Sequence, residues 1–167
     1  NVQFRWMPLK GRNALTLALE RPGASGDQGV FEGRIEVAGI RSKFDLPDLT
    51  GNFRLNRDWG HVQFSGIVRR IKWVDTTVDQ FELGGSDVGW GFAISSAPKF
   101  GKNDVARLSV VYGEGIQNYF NDAPIDVGIT ATNSSDPARP VEGVALPAFG
   151  LSLFLDHTWS KRFSTAA

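Results

Sequence analysis

Cysteine is absent from this 167-residue sequence, and so is any net charge, because 18 Lys and Arg residues balance 18 Asp and Glu residues. The lack of cysteine excludes disulfides, thiol catalysis and cysteine-ligated metal sites from this chain. The lack of a basic excess removes the usual electrostatic argument for nucleic-acid binding, so we expect no nucleic-acid partner. No apolar run approaches the roughly 18 to 20 residues that a membrane-spanning helix needs.

Sequence patterns of enzymes are also missing. The two histidines, His61 and His157, lie far apart, and neither belongs to a His, Asp or Glu cluster with metal-ligand spacing. There is no Gly-x-Ser-x-Gly motif and no glycine-rich phosphate loop that precedes a helix. We therefore expect only local hydrogen bonds from the histidines, and we predict no enzymatic activity, no metal site and no cofactor.

Alternation of apolar and polar residues is the main pattern that is present. In residues 49–56, Phe53 and Leu55 fall on one face of an extended strand, whereas Asn52 and Arg54 fall on the other. Segments of about this length are sufficient for a tilted strand to cross a bilayer. The pattern predicts an all-β, antiparallel fold with strands over residues 2–9, 15–20, 49–56, 61–68, 88–95, 105–113 and 151–160.

The connections between these segments alternate in length. Loops of this size are uncommon in compact soluble domains, whereas outer-membrane barrels combine short periplasmic turns with long extracellular loops. The sequence therefore predicts an up-and-down transmembrane β-barrel. The short turns span residues 10–13, 57–60, 97–104 and 160–162, and the long loops span residues 22–48, 75–87 and about 115–147.

Two other folds remain open at this point. A soluble β-sandwich would make the chain a lectin-like carbohydrate-binding module, and a jelly-roll scaffold would suit an enzyme. The barrel and the sandwich make opposite predictions for Phe53, Phe64, Trp90 and Leu108. These side chains form a continuous outward band in a barrel, but meet in a dry interior in a sandwich.

Charge is distributed unevenly between the two kinds of connection. The long loops contain thirteen acidic and four basic residues, whereas the short turns contain seven basic and two acidic residues. If the two kinds lie at opposite ends of the fold, one end is acidic and the other is basic. We expect outer-membrane lipid around the barrel, and acidic outer loops could bridge to lipopolysaccharide through divalent cations.

The five tryptophans lie near the ends of the predicted strands. Trp6, Trp59 and Trp159 are next to short turns, whereas Trp73 and Trp90 are close to long loops. Aromatic girdles mark both membrane interfaces of a barrel. The sequence thus predicts that all five are membrane-interface aromatics.

The polar faces of the strands are rich in arginine. In a closed barrel these faces line the lumen, where arginine favours the passage of anions. Beyond Arg69 the alternation breaks, so we expect Arg70 and Lys72 at a bulge or above the membrane. The predicted lumen-lining residues are Arg5, Arg54, Arg69, Arg107, Asn52, Gln63 and Glu20.

Several segments resemble the DcaP-like porins of Gram-negative bacteria. The resemblance is carried by FRWMPLKGRNALTLALERPG, PDLTGNFRLNRDWGHVQFSG, GWGFAIS with KFGKNDVARLSVVYGEGI, and LPAFGLSLFLDHTWSKRFSTA. It implies a 16-stranded, homotrimeric porin of the bacterial outer membrane that passes small anionic solutes such as dicarboxylates. Seven full strands and the start of an eighth at residues 163–167 predict that residues 1–167 are a single β-barrel segment. That segment is about half of the barrel and an incomplete, internal portion of a longer porin chain.

Overall fold

The structure is a computed structural model that describes residues 2–120, 123, 125–132 and 135–167. Within these residues there is no α-helix, and short 3-10 turns occur at Gly29–Phe31, Ile35–Val37 and Gln117–Tyr119. The prediction of an all-β fold is therefore confirmed. No helix in the part of the chain that the structure describes is long and apolar enough to span a membrane.

The described residues form twelve strands. In chain order they are β1 (Gln3–Leu9), β2 (Ala14–Glu20), β3 (Ile40–Lys43), β4 (Asp48–Arg57), β5 (Gly60–Asp75), β6 (Gly85–Ser96), β7 (Lys99–Phe100), β8 (Asp104–Glu114), β9 (Val127–Ala131), β10 (Val141–Ala145), β11 (Pro147–Thr158) and β12 (Ser164–Ala166).

Eight of these strands form one antiparallel meander in the order β1-β2-β4-β5-β6-β8-β11-β12. Each of the seven predicted strands is present in it, and β12 corresponds to the predicted start of an eighth. The short turns all lie at one end of the meander and the long loops at the other, as antiparallel neighbours require. Among the described residues no pairing joins β1 to β12, so the sheet is open.

Four strands were not predicted. β3 pairs with the end of β5, and residues 44–47 separate it from β4, which pairs with the same strand. Pro47 interrupts the pairing because it has no backbone N–H to donate. The short β7 pairs with β8, and β9 and β10 form a separate two-stranded sheet within the last long loop.

The turn between β4 and β5 depends on one glycine. Arg57 pairs with Gly60 across the Asp58–Trp59 turn, and Gly60 has a φ of 137°. A Cβ atom at this position would lie 2.1 Å from the carbonyl oxygen of Ala97. Both the backbone conformation and the space therefore require glycine.

The register places the apolar positions of neighbouring strands side by side. We call the resulting surface the apolar band, and most of its large side chains are exposed, with Phe64 at 47%, Trp90 at 37% and Leu108 at 41%. Phe53 is half-buried. The interior burial that the sandwich alternative requires is not observed. One row of the band contains Leu15, Phe53, Phe64, Ile94, Val110 and Leu151, and the next contains Trp6, Leu17, Gly51, Gly66, Phe92, Tyr112 and Phe149.

The compact apolar cluster of the structure lies among the long loops and not under the sheet. Val37, Leu83 and Val141 are buried in it, from three different loop regions. Phe31 and Ile129 pack against them. The long loops are thus held together by their own core.

Of the two positions expected for Arg70 and Lys72, the bulge is not observed, and a position above the membrane stays a prediction. The pairing of β5 with β6 runs without a register shift from Val62 to Trp73, so there is no bulge at residues 70–73. The alternation continues, but from residue 70 onward the charged side chains lie on the outward face and the apolar side chains lie on the opposite face. Arg70 and Lys72 follow Val68 on the outward face, and Ile71 and Trp73 lie on the opposite face, where the loop core covers them.

We expect Gly60→Ala to lower the free energy of unfolding by about 1 to 3 kcal/mol, because the new side chain meets backbone in a left-handed conformation. Urea unfolding of the full-length protein, followed by tryptophan fluorescence, measures the change. Gly11→Ala is the control, since no atom lies within 4 Å of its Cβ position, and it should change stability by less than about 0.5 kcal/mol. Equal stability of the two variants would contradict the role of Gly60.

Candidate functional site

The polar face of the sheet is partly covered by the chain itself. Residues 115–120, which follow β8, fold back onto this face. A Cβ atom on Gly91 would lie 2.4 Å from Cδ1 of Ile116, and one on Gly113 would lie 2.7 Å from the same atom. A Cβ atom on Gly150 would lie 3.2 Å from Cε1 of Phe120. Glycines on the polar face therefore make the room in which this segment lies.

Gln117 fixes the segment to the start of β11. Its side-chain amide donates to the carbonyl oxygens of Leu146 at 2.9 Å and Pro147 at 3.2 Å. Its side-chain oxygen accepts a hydrogen bond from the backbone N–H of Ile116 at 2.9 Å. Gly115, with a φ of 62°, donates its own N–H to Leu146. Hydrogen bonds from both Gly115 and Gln117 therefore hold the turn that brings the chain back onto the sheet.

Arg69 of β5 lies at the centre of this covered region. Its side chain is almost fully buried, and Nε lies 3.2 Å from Oδ2 of Asp48. Nη1 lies 3.4 Å from Oδ1 of Asp126 and donates to the carbonyl oxygen of Gly115 at 3.2 Å. Nη2 donates to the carbonyl oxygen of Gly23. One guanidinium therefore joins β4, β5 and two long loops.

Tyr119 completes this group, which we call the buried arginine cluster: Arg69, Asp48, Asp126 and Tyr119. The Tyr119 hydroxyl donates to Oδ2 of Asp48 at 2.9 Å, and Cζ of Arg69 lies 5.4 Å from the centre of the ring. Burial of the phenol raises the pKa of Tyr119, and the hydrogen bond to Asp48 raises it further. The hydroxyl therefore stays protonated and remains a donor at neutral pH.

Asp126 ties the two long loops to each other. Its carboxylate is fully buried and accepts hydrogen bonds from the backbone N–H of Ser25 at 3.1 Å and of Asn118 at 3.0 Å. The side-chain amide of Asn118 donates to the carbonyl oxygen of Gly23 at 3.2 Å. Hydrogen bonds therefore connect residues 23–25 and Asn118 through Asp126.

Arg69 does not line an open surface as predicted. It lies on the polar face, but two carboxylates and the inward-folded segment enclose it, and only 3% of it is exposed. Its positive charge is paired with Asp48 and Asp126 inside the protein, so Arg69 does not face solvent. The sequence patterns did not indicate Asp48, Asp126 or Tyr119 as its partners.

Three of the other predicted polar-face residues are half-buried and bonded to near neighbours. Arg54 donates to Oδ1 of Asn56 at 3.1 Å, and Gln63 donates to the hydroxyl of Ser65 at 3.3 Å. Glu20 accepts a hydrogen bond from the hydroxyl of Thr50 at 2.5 Å. Asn52 pairs in register with Thr16 and Ser65 and is also half-buried.

The two remaining arginines are exposed. Arg107 lies 2.5 Å from Asp156 of the neighbouring β11, which balances its charge. Arg5 is exposed in β1 and forms no salt bridge with any residue that the structure describes. Two strands lie between Arg54 in β4 and Arg107 in β8, a separation of at least about 14 Å. The arginines are thus spread along the polar face and do not form one cluster.

Four of the five predicted interface tryptophans are exposed: Trp6, Trp59, Trp90 and Trp159. Trp6 and Trp90 lie within the apolar band. Trp73 differs, because it lies on the opposite face and donates its indole N–H to the carbonyl oxygen of Leu83 at 2.8 Å. The ring packs against Gly143, where a Cβ atom would lie 2.6 Å away. Trp73 therefore belongs to the loop core and not to an aromatic girdle.

The histidines make local contacts. Nδ1 of His157 lies 2.5 Å from Oδ1 of Asp104, and its ring packs edge-on against Trp159 at 4.2 Å. His61 lies in β5 at the short-turn end, where its carbonyl oxygen accepts hydrogen bonds from Ala97 and Ser96. Within the described ranges, no three His, Asp or Glu side chains are placed to hold a metal ion.

Comparison with known proteins gives no match. The chain matches no protein-family model, no curated protein and no solved structure. The resemblance to DcaP-like porins therefore stays a prediction from the sequence segments that carry it.

We expect Arg69→Met to lower the free energy of unfolding by about 3 to 5 kcal/mol, because it leaves two buried carboxylates without their cation. Residues 115–120 should also become sensitive to protease, since the cluster holds them on the sheet. Urea unfolding and limited proteolysis with mass spectrometry measure the two effects.

Arg5→Met is the matched control, because it removes an exposed arginine from the same face. It should change stability by less than about 0.5 kcal/mol and leave the cleavage pattern unchanged. If Arg69→Met unfolds at the same urea concentration as the unchanged protein, the cluster does not hold the loops.

Proposed function

We propose that this chain forms part of the wall of an outer-membrane porin through which small anionic solutes, such as dicarboxylates, diffuse passively. The observation that carries the proposal is the apolar band, which is exposed on one side of an eight-stranded meander. Such a surface is far larger than the apolar patches that soluble monomers expose, so it needs a partner. Lipid is the partner that fits the whole of one sheet face.

The height of the apolar band supports contact with a bilayer. Phe149, Leu151, Leu153 and Leu155 are consecutive outward residues of β11, and each is at least half exposed. They span about 20 Å along the strand. The apolar belt of outer-membrane barrels is about 25 Å tall. Exposed tryptophans occur at both ends of the band, with Trp90 near the long loops and Trp159 near the short turns.

Closure of the sheet is required by this function. The outer edges of β1 and β12 carry backbone groups that no described strand pairs with. In lipid such groups cost several kcal/mol each, so they must pair with further strands. The 16-stranded closure and the homotrimer are part of the proposal and come from the resemblance to DcaP-like porins.

The polar face would then line the lumen, and its chemistry favours anions. Arg5 and Arg54 have no carboxylate within salt-bridge distance among the described residues, so their charges act on the solvent nearby. Arg107 contributes less, since Asp156 pairs with it. Positive side chains along a pore lower the energy of a passing anion and raise that of a cation.

The inward-folded segment gives the pore its narrowest part in this proposal. Residues 115–120 cover part of the polar face near the long loops, and the buried arginine cluster holds them there. Because buried ion pairs fix this segment, the cross-section of the pore beside it would stay constant. Size selection would depend on this segment, and charge selection on the arginines that remain exposed to the lumen.

Single-channel recording on the full-length protein tests the function. In a planar bilayer with a KCl gradient, the reversal potential should indicate a preference for anions. Arg54→Gln should lower the anion-to-cation permeability ratio by about tenfold, because a unit charge some 6 Å away in water lowers the energy of an anion and raises that of a cation by about 0.7 kcal/mol each. Lys102→Gln, in an exposed short turn, is the matched control and should leave the ratio almost unchanged. Cation preference in the unchanged protein, or no conductance at all, would contradict the proposal.

A further inference from the structure

A group of cations lies on the outward side of the sheet, just beyond the apolar band. Lys43 of β3 pairs in register with Lys72 of β5, and Arg70 lies two residues before Lys72 on the same face. Arg41 also lies on this face, two residues before Lys43. We call Arg41, Lys43, Arg70 and Lys72 the basic rim. It lies at the long-loop end of the sheet, immediately beyond Val68.

The positive charge of the basic rim is only partly balanced. Asp45 lies between its members, with Oδ2 2.9 Å from Nζ of Lys72 and 4.0 Å from Nη1 of Arg70. The hydrogen bond from Lys72 holds the pKa of Asp45 below its ordinary value, so Asp45 is ionised at neutral pH. Within the described residues, Arg41 and Lys43 form no salt bridge. One carboxylate thus faces four cations, and an excess of positive charge remains.

A shallow groove continues from the basic rim towards the loops. It has a volume of about 540 Å³, and Arg70, Lys72, Ser86 and Arg139 are among its lining residues. Arg70 donates to the hydroxyl of Ser86 at 3.4 Å, and both residues line the groove. Glu82 also lines the groove, and its carboxylate lies 3.9 Å from Arg139. The groove therefore offers several donors beside an apolar surface.

From this arrangement we infer that the basic rim binds the phosphorylated headgroup of lipopolysaccharide, with the acyl chains lying along the apolar band. The inference rests on the proposed function, which places the apolar band in lipid and the long loops outside the cell. Phosphate oxygens accept charge-assisted hydrogen bonds from Lys and Arg. Val68, Val88 and Trp90 continue the surface directly below, where acyl chains would pack.

Lipopolysaccharide fits this surface better than a single-phosphate lipid. Its lipid A moiety carries two phosphates on a disaccharide, and the basic rim offers cations on two adjacent strands beside a groove of sugar size. The contact is direct, so it needs no divalent cation. This direct contact differs from the one expected from the sequence, in which divalent cations join the acidic long loops to lipopolysaccharide.

Binding of purified lipid A to the full-length protein in detergent tests the inference. Native mass spectrometry measures the affinity for the unchanged protein and for Lys43→Gln/Arg70→Gln, which keeps the Lys72 to Asp45 pair. The double variant should bind lipid A roughly thirtyfold more weakly, given the usual contribution of a cation near an anionic lipid surface. Dephosphorylated lipid A should bind the unchanged protein about as weakly as lipid A binds the double variant. A metal chelator should have little effect on the affinity of the unchanged protein for lipid A.

Lys99→Gln/Lys102→Gln is the matched control, because it removes the same charge at the short-turn end. Equal loss in both double variants, or equal affinity in all three proteins, would overturn the inference. Phosphatidylglycerol binding as tightly as lipid A would also overturn it, and so would complete loss of binding with the chelator. Circular dichroism verifies the fold, and conductance of the same samples separates this result from a failure of the porin function.

Discussion

A sheet that is apolar on one face across seven strands must cover that face, and this constraint governs the rest of the structure. Each row of the apolar band continues from strand to strand because the pairing has few register shifts. The loop core lies on the other side, and the residues that the structure describes leave most large side chains of the band exposed. Lipid can cover the band without any specific contact, provided that the strand edges are also paired.

The opposite face has a different constraint, because it must remain polar while a chain segment lies on it. Glycines at residues 91, 113 and 150 let the side chains of Ile116 and Phe120 approach closely. Arg69 then compensates the two buried carboxylates that such a close approach creates. A buried ion pair of this kind adds little net stability, but it defines one geometry strictly, because any other position leaves a charge unpaired.

The strands of the meander could be predicted from sequence because alternation with period two is a local property. β9 and β10 were not predicted, because they lie in a loop and depend on contacts with residues far away in the chain. The burial of Arg69 could not be predicted either, since Asp126 is 57 residues away. The glycines on the polar faces of β6 and β8 were a usable signal, because repeated glycine opposite large apolar residues indicates a close approach. Trp73 was misassigned because β5 continues beyond the apolar band, where the inward face packs against loops.

In the proposed porin, the apolar band faces acyl chains and the opposite face of the sheet faces water. A single cysteine for labelling can be introduced at Leu151 or at its neighbour Ser152, which lie on opposite faces of β11 and are both exposed. Any native cysteine elsewhere in the full-length protein is first replaced by serine. In vesicles that contain the full-length protein, a fluorophore at residue 151 should be quenched by nitroxides on lipid acyl chains and not by aqueous iodide. A fluorophore at residue 152 should show the reverse. Quenching of both positions by iodide alone, or protection of residue 151 from both quenchers, would contradict the account.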